Sequence, residues 1–166
     1  VFLCPQGAYE TFESFTDEKR TAIITSHETP TQNPNFFIRA LKRNKAQSGK
    51  ALTAFPDPAP ELTRIRKERL SYKRDDGVPL SGLLYYPPNY ANGQKVPVVV
   101  WAYPLEYTDA KTAGQVRVTE TRFPRLESSS VLFFLLHGYA VLYDAEIPVV
   151  GDPETANDTF VEQITA

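Results

Sequence analysis

The segment VPVVVWAYP at residues 96–104 constrains the fold of this chain more than any other. Five apolar residues, four of them valine, precede two aromatic residues and a proline, and the turn-forming pair Asn92-Gly93 comes just before them. An apolar run of this length predicts a strand buried on both faces, as in α/β sheets. The loop after the carboxyl end of such a strand is where α/β proteins usually place their chemistry. We therefore expect a functional site near Trp101 and Tyr103.

The second part of the chain predicts an α/β arrangement. The predicted elements are a hairpin, a strand, a helix, a strand and a final helix, at residues 67–86, 96–101, 128–137, 139–144 and from 157 onward. Asp75-Asp76-Gly77 is the predicted hairpin turn, and Gly138 the predicted helix end. This alternation is typical of a sheet covered by helices.

The first part of the chain predicts an antiparallel sheet. Short strands are expected at residues 9–15, 21–25, 36–41 and 50–55, with turn-forming residues between them. Their spacing fits one blade of a β-propeller. Three prolines within FPDPAP at 55–60 predict a stiff connector. The predicted domains are residues 1–56, a linker at 57–66, and residues 67–166.

Composition excludes several classes of function. Charged residues make up 23% of the chain and the net charge is −2, so nucleic acid is not an expected partner. The apolar run at 131–136 is far shorter than the roughly 20 residues that a membrane span needs, so no membrane insertion is expected. Cys4, the one cysteine, is predicted to be a small buried side chain. With His27 and His137 far apart, no metal site is predicted.

Several motifs together resemble the prolyl oligopeptidase family of serine peptidases. The start of that family's catalytic domain is similar to YKRDDG, LSGLLYYPP and PVVVWAYP, at residues 72–77, 80–88 and 97–104. The glutamyl endopeptidase branch is similar to WAYP, AGQVR, NDTFVEQ and HETPTQNPNF, at residues 101–104, 113–117, 157–163 and 27–36. The resemblance covers nearly the whole chain, and its strength lies in the order and spacing of the motifs.

The resemblance implies a fragment with two kinds of structure. A β-propeller segment, corresponding to the last blade, would precede the first four strands of a mixed α/β-hydrolase sheet. The implied enzyme hydrolyses peptides through an acyl-enzyme on a Ser-Asp-His triad, with the serine in Gly-x-Ser-x-Gly. Glutamate is the residue after which it would cut, and no cofactor or metal is implied.

The catalytic serine is not recognisable in this sequence. No Gly-x-Ser-x-Gly is present, and the serines at 128–130 lack the flanking glycines of a nucleophile elbow. The nucleophile is therefore expected beyond Ala166. The 166-residue chain alone is predicted to be inactive as a peptidase.

The resemblance implies an oxyanion-binding role for the residues after the valine strand. Trp101 takes the position of the tyrosine in the common Tyr-Gly-Gly-Pro pattern, and Tyr103 replaces a glycine. Since tryptophan has no hydroxyl, either the Tyr103 hydroxyl or backbone N–H groups would serve. The alternative is that both aromatic residues only pack.

Arg117 is the candidate for binding an acidic substrate side chain. A guanidinium can hold a carboxylate through two parallel hydrogen bonds. Arg122 and Arg125 are weaker candidates, and a structural salt bridge is the alternative for all three. The resemblance also points to a periplasmic or exported protein, because such relatives are often exported. The rival interpretations are an esterase of the same fold and a non-catalytic, β-rich interaction module.

The α/β-hydrolase strand order also predicts a partner. It places the strand at 139–144 between those at 80–86 and 96–101, with 67–73 at one edge of the sheet. The other edge runs from Val96 to Trp101, and it is apolar and uncharged. Such an edge favours pairing with another chain, so self-association through it is expected.

Overall fold

The computed structural model describes residues 4–43, 45–115, 119–152 and 154–165. The chain divides into two compact units. The first comprises Val1–Arg64 with Thr121–Leu126, and the second comprises Ile65–Glu120 with Glu127–Ala166. The predicted domain boundaries placed Thr121–Leu126 in the second domain, at residues 67–166.

The first unit is an antiparallel sheet followed by one helical turn. Its strands are β1 Tyr9–Phe15, β2 Ala22–Thr29, β3 Gln32–Lys42, β4 Lys45–Ala46 and β5 Lys50–Ala51. The order is β1-β2-β3-β4, and β5 also pairs with β3. Helix α1, Pro60–Thr63, has its proline in the first turn, where a missing N–H costs no hydrogen bond.

Two features of this sheet differ from the sequence prediction. The strand predicted at 50–55 ends at Ala51. Further along, the Phe55 N–H donates to the side-chain oxygen of Asn35 at 2.6 Å, in place of a backbone carbonyl of a neighbouring strand. The turn-forming residues between the expected strands at 21–25 and 36–41 include the segment 29–34, yet β3 begins at Gln32. A bulge in the β2–β3 pairing between His27 and Thr29 makes room for Pro34, which has no N–H for the ladder.

The second unit is a four-stranded mixed sheet with short helices. Its strands are β6 Lys67–Lys73, β7 Pro79–Tyr85, β8 Val98–Tyr107 and β9 Ala140–Val150. The order β6-β7-β9-β8 is the one expected from the α/β-hydrolase strand order that the resemblance implied. β8 and β9 run parallel, whereas the other neighbouring pairs run antiparallel. The helical segments are α2 Ala110–Ala113, the 3₁₀ helices Val131–His137 and Ala156–Thr159, and α3 Phe160–Thr165.

Local sequence signals explain the ends of two elements. Gly77 turns the β6–β7 hairpin with φ of 92°, a left-handed conformation that glycine adopts without steric cost. The Ser130 hydroxyl accepts from the Leu132 N–H at the start of the 3₁₀ helix, and Gly138 ends that helix in the left-handed conformation. This helix is three residues shorter than the predicted 128–137, and it is a 3₁₀ helix.

The valine strand is not buried on both faces, so that prediction was wrong. Val98, Val100, Trp101 and Tyr103 are 53%, 61%, 54% and 78% exposed. Within the described residues, β8 is the last strand of its sheet and pairs with β9 alone, which contributes to this exposure. An edge strand can also accommodate a proline, so β8 continues through Pro104 to Tyr107.

Burial elsewhere follows the apolar pattern only in part, since Phe12, Leu136 and Val161 are among the large apolar residues that are exposed. Leu135, Val141 and Val149 are fully buried in the second unit. Cys4, predicted to be buried, is exposed, and its Sγ lies 3.0 Å from the carbonyl oxygen of Ala8. None of the helices in the described part of the chain has the length and apolar content that crossing a bilayer requires.

Candidate active site

A bulge interrupts the parallel pairing of β8 and β9. Val100 pairs with Leu142 and Ala102 pairs with Ala145, so two residues of β9 lie opposite the single residue Trp101 of β8. Asp144, in this bulge, has φ of 50°. A positive φ is uncommon outside glycine, although aspartate adopts it more readily than most residues. Bulges redirect side chains, and they are frequent next to functional sites.

A cavity of about 280 Å³ lies directly after this bulge. It is lined by alternate residues of β8, by α2 and by a continuous segment of β9, namely Tyr103, Leu105, Tyr107, Ala113 and residues 144–148. Apart from Ala113, these residues belong to the second half of β8 and to the middle and later part of β9, toward the end of the parallel pair where α/β sheets bind their ligands. The walls are mainly aromatic and aliphatic, and both charged residues of the lining, Asp144 and Glu146, are acidic.

Within the described residues, one of the two carboxylate oxygens of Glu146 accepts hydrogen bonds and the other does not. Its Oε2 atom accepts from the Ser81 N–H at 2.5 Å and from the Ser81 hydroxyl at 3.0 Å. Its Oε1 atom is buried and has no hydrogen-bond partner in the described structure. Buried polar atoms in folded proteins are nearly always paired, so this carboxylate oxygen is an exception among the described residues.

Three titratable side chains of the second unit's sheet have raised pKa values, and partial burial is the first cause of each. Part of Asp144 reaches solvent, yet partial burial of its carboxyl raises the pKa of this residue. Burial raises the pKa of Tyr143, and the nearby Asp144 carboxylate adds to the effect. Burial also raises the pKa of Tyr72, followed by the charge of Glu146. Of these three residues only Asp144 lines the cavity, and it is exposed.

The structure brings one of the two predicted oxyanion residues to this cavity. Tyr103 lines it, whereas Trp101 is not among the lining residues. Both lie within β8 and not in a loop after it. Their role in binding an oxyanion stays a prediction.

Two of the three arginines that are candidates for binding an acidic substrate lie within the described residues. Arg117 lies outside the described residues. Arg122, in the first unit, donates from Nε to the buried Glu28 at 3.2 Å, and its guanidinium lies 4.6 Å from the centre of the Tyr9 ring. These contacts are structural ones. Arg125 is exposed.

The histidines occupy structural positions. The fully buried side chain of Glu10 contacts Nδ1 of His27 at 3.1 Å, and it accepts from the Thr25 hydroxyl and the Arg39 guanidinium at 2.5 and 2.8 Å. Burial alone would raise the pKa of Glu10, but these hydrogen bonds together lower it. His137 is the last residue of a 3₁₀ helix. Among residues 4–43, 45–115, 119–152 and 154–165, no three His, Cys, Asp or Glu side chains form a group that could hold a metal.

Sequence reasoning missed Asp144, Glu146 and Ser81. One signal could have indicated the first two. They are the only charged residues in the otherwise apolar and aromatic stretch AVLYDAEIPVV at 140–150, which predicts carboxylates enclosed by apolar neighbours. Ser81 carries no such signal, because its partner lies 65 residues away.

Two curated relatives match most of the chain. Both are named "Probable glutamyl endopeptidase, chloroplastic". The relative from Oryza sativa subsp. japonica is 36% identical over 167 residues, which covers 94% of this chain and 18% of the relative. The relative from Arabidopsis thaliana is 37% identical over 147 residues, which covers 87% and 15%. The chain thus spans less than a fifth of the length of either relative.

Among solved structures, the crystal structure of Porphyromonas gingivalis dipeptidyl peptidase 4 is similar in fold. Its TM-score is 0.58 at 12% sequence identity, and the match covers 86% of this chain and 18% of that one. No family model matches the chain.

Proposed function

Because this chain belongs to the prolyl oligopeptidase family of peptidases, we propose that it forms part of a serine peptidase that hydrolyses peptides through an acyl-enzyme. The observation that supports this most is the 36% identity to a probable glutamyl endopeptidase over 94% of the chain. We further propose cleavage after glutamate, which that relative's name suggests. The relatives' names give no support to the esterase or to the non-catalytic module.

The fold of each unit supports a separate structural assignment. We propose that the antiparallel sheet of the first unit is the end of a β-propeller, and that the mixed sheet of the second unit begins an α/β-hydrolase domain. The order β6-β7-β9-β8, with its single parallel pair, agrees with such a beginning. The cavity beside Tyr103 and Glu146 would then belong to the substrate-binding face.

The chain's own contribution to catalysis is proposed to be oxyanion stabilisation. In acyl transfer, a serine oxygen gives up its proton and bonds to the substrate carbonyl carbon, whose oxygen gains negative charge; the C–N bond then breaks, and the amine leaves with that proton. A positioned hydroxyl or N–H donor lowers the energy of that state. The Tyr103 side chain is 78% exposed and next to the cavity, so its hydroxyl is accessible to a substrate. The indole N–H of Trp101 is a second possible donor to the oxyanion. Neither Trp101 nor Tyr103 is proposed as the nucleophile.

Hydrolysis by the product of the complete gene tests this function. The substrates are a matched pair of fluorogenic peptides that differ only in glutamate or glutamine before the scissile bond. We expect cleavage of the glutamate peptide, with faster turnover than of the glutamine peptide. Failure to cleave either peptide, or any longer peptide of mixed sequence, would contradict the proposed function.

A further inference from the structure

We infer that residues 121–126, here called the strap, make the stability of the first unit depend on that of the second, and that Glu28 holds the strap in place. The coupling is independent of the proposed peptidase function. It rests on the unit to which the strap belongs, and on the partners and the burial of Glu28.

The strap belongs to one unit, whereas the chain on both sides of it belongs to the other. Thr121–Leu126 lies in the first unit, and Ile65–Glu120 and Glu127–Ala166 form the second. The first unit is therefore completed by residues that reach it only through the chain of the second. While the second unit is folded, both ends of the strap are held, and this lowers the entropic cost of placing the strap in the first unit.

Glu28 lies in β2 at a point where its side chain meets the strap. It pairs with Tyr9 of β1, and the register of β2 with β3 shifts at this point of the strand. Arg122 of the strap contacts both members of this pair, because its Nε donates to Oε1 of Glu28 at 3.2 Å and its guanidinium lies 4.6 Å from the centre of the Tyr9 ring. The Phe123 N–H donates to the second oxygen of Glu28, Oε2, at 3.2 Å.

The burial of Glu28 makes it dependent on these donors. Its side chain is 4% exposed, and among the described residues the hydrogen bonds that its carboxylate accepts all come from the strap. A buried carboxylate that loses its partners is strongly destabilising. The strap also contributes two buried side chains of its own, Phe123 and Pro124. If the strap is displaced, the first unit must either expose this part of its sheet or keep an unpaired buried carboxylate.

Native-state hydrogen exchange, followed by NMR on the isotopically labelled 166-residue chain, measures the stability of each unit separately. The reporters are ladder amides of β2 and β3 for the first unit, and of β7 and β9 for the second. We expect Glu28→Gln to lower the protection factors of β2 and β3 by about 10-fold or more, because it weakens two hydrogen bonds to a charged acceptor. The control Glu13→Gln, at an exposed residue of the same sheet, should leave them unchanged.

The same loss should follow from a substitution on the strap side of the contact. Arg122→Gln should lower protection in β2 and β3 by more than Arg125→Gln, which changes an exposed arginine of the same strap. If Glu28→Gln fails to fold, Arg122→Gln decides in its place. Losses no larger than those of the two controls would overturn the role of Glu28.

A substitution within the second unit tests the coupling itself. Val141 of β9 is fully buried, so Val141→Ala should destabilise the second unit. We expect protection to fall by a similar factor in β2 and β3 as in β7 and β9, whereas a fall confined to β7 and β9 would overturn the coupling. The wild type gives a second measurement, because in rising urea the reporters of both units should lose protection together. Loss of protection at clearly separate urea concentrations would likewise overturn the coupling.

Discussion

Glu146 of β9 and Ser81 of β7 are joined by two hydrogen bonds to one carboxylate oxygen, from the serine N–H at 2.5 Å and from its hydroxyl at 3.0 Å. The paired residues of β7 and β9 are confined to three positions, from Leu83 with Tyr143 to Tyr85 with Val141. Beyond these three positions, the Ser81 N–H donates to the side chain of Glu146 and not to a backbone carbonyl of β9. The same contact therefore stabilises the sheet and orients the carboxylate that borders the cavity.

Ser81→Ala should destabilise the second unit. Ser81 is 2% exposed, and its hydroxyl donates to a charged acceptor, a class of hydrogen bond whose loss costs about 1.5–3 kcal/mol. Urea unfolding gives the free-energy change. The matched control is Ser71→Ala, because Ser71 is the ladder partner of Ser81 on β6 and is exposed. Equal small losses for both variants would show that the Ser81–Glu146 contact contributes no stability.

Acid should destabilise the first unit through Glu10. The hydrogen bonds from Thr25, Arg39 and His27 outweigh burial and lower the pKa of Glu10 in the folded state. A carboxyl with a lowered folded-state pKa stabilises the fold fully above its unfolded pKa, and this stabilisation is lost as the pH falls through the folded value. We expect the free energy of unfolding to fall between about pH 5 and pH 3.

The variant Glu10→Gln isolates that contribution from the other carboxylates. It should be less stable than the wild type at pH 7, and the difference should shrink as the pH falls to 3. Urea unfolding at four pH values from 7 to 3 measures it. A stability difference that stays constant across this range would mean that Glu10 has the same pKa in the folded and unfolded states.

The exposed edge of β8 should make the chain self-associate. Val98, Val100 and Trp101 are each more than half exposed along the last strand of the sheet. Light scattering at micromolar concentration should give a mass above the 18.7 kDa of one chain. Val100→Lys should restore the monomer, since a charge on an edge strand opposes pairing. The control Val161→Lys changes an exposed valine away from this edge and should leave the association unchanged. A wild-type monomer would contradict the proposal.

Arg117→Ala in the product of the complete gene should reduce cleavage after glutamate. Loss of a desolvated, charge-assisted contact costs about 2–4 kcal/mol, or roughly 30- to 1,000-fold in kcat/KM. The matched glutamine peptide should lose far less. Arg64→Ala, which removes an exposed arginine that is not a candidate for substrate binding, serves as the control. Equal losses on both peptides would assign Arg117 to structure.

Local signals made much of this fold predictable. The hairpin of β6 and β7 follows from alternating residues around Gly77, and the end of the 3₁₀ helix follows from Gly138. The exposure of the faces of β8 could not be predicted in this way, because an apolar run has the same sequence whether or not other elements cover its faces. Its position at the edge of the sheet was expected only from the α/β-hydrolase strand order. The Ser81–Glu146 contact was also beyond prediction, because it depends on the register of two strands far apart in the chain.

The most direct test of the central claim is labelling with a fluorophosphonate, which reacts with activated serines. The samples are the product of the complete gene and the isolated 166-residue chain, and peptide mapping identifies the modified residue. We predict that the complete product is labelled once, at a serine outside residues 1–166, that labelling abolishes peptide hydrolysis, and that the isolated chain stays unlabelled. Stoichiometric labelling of any serine within the 166 residues, or peptide hydrolysis that persists after complete labelling, would contradict the account.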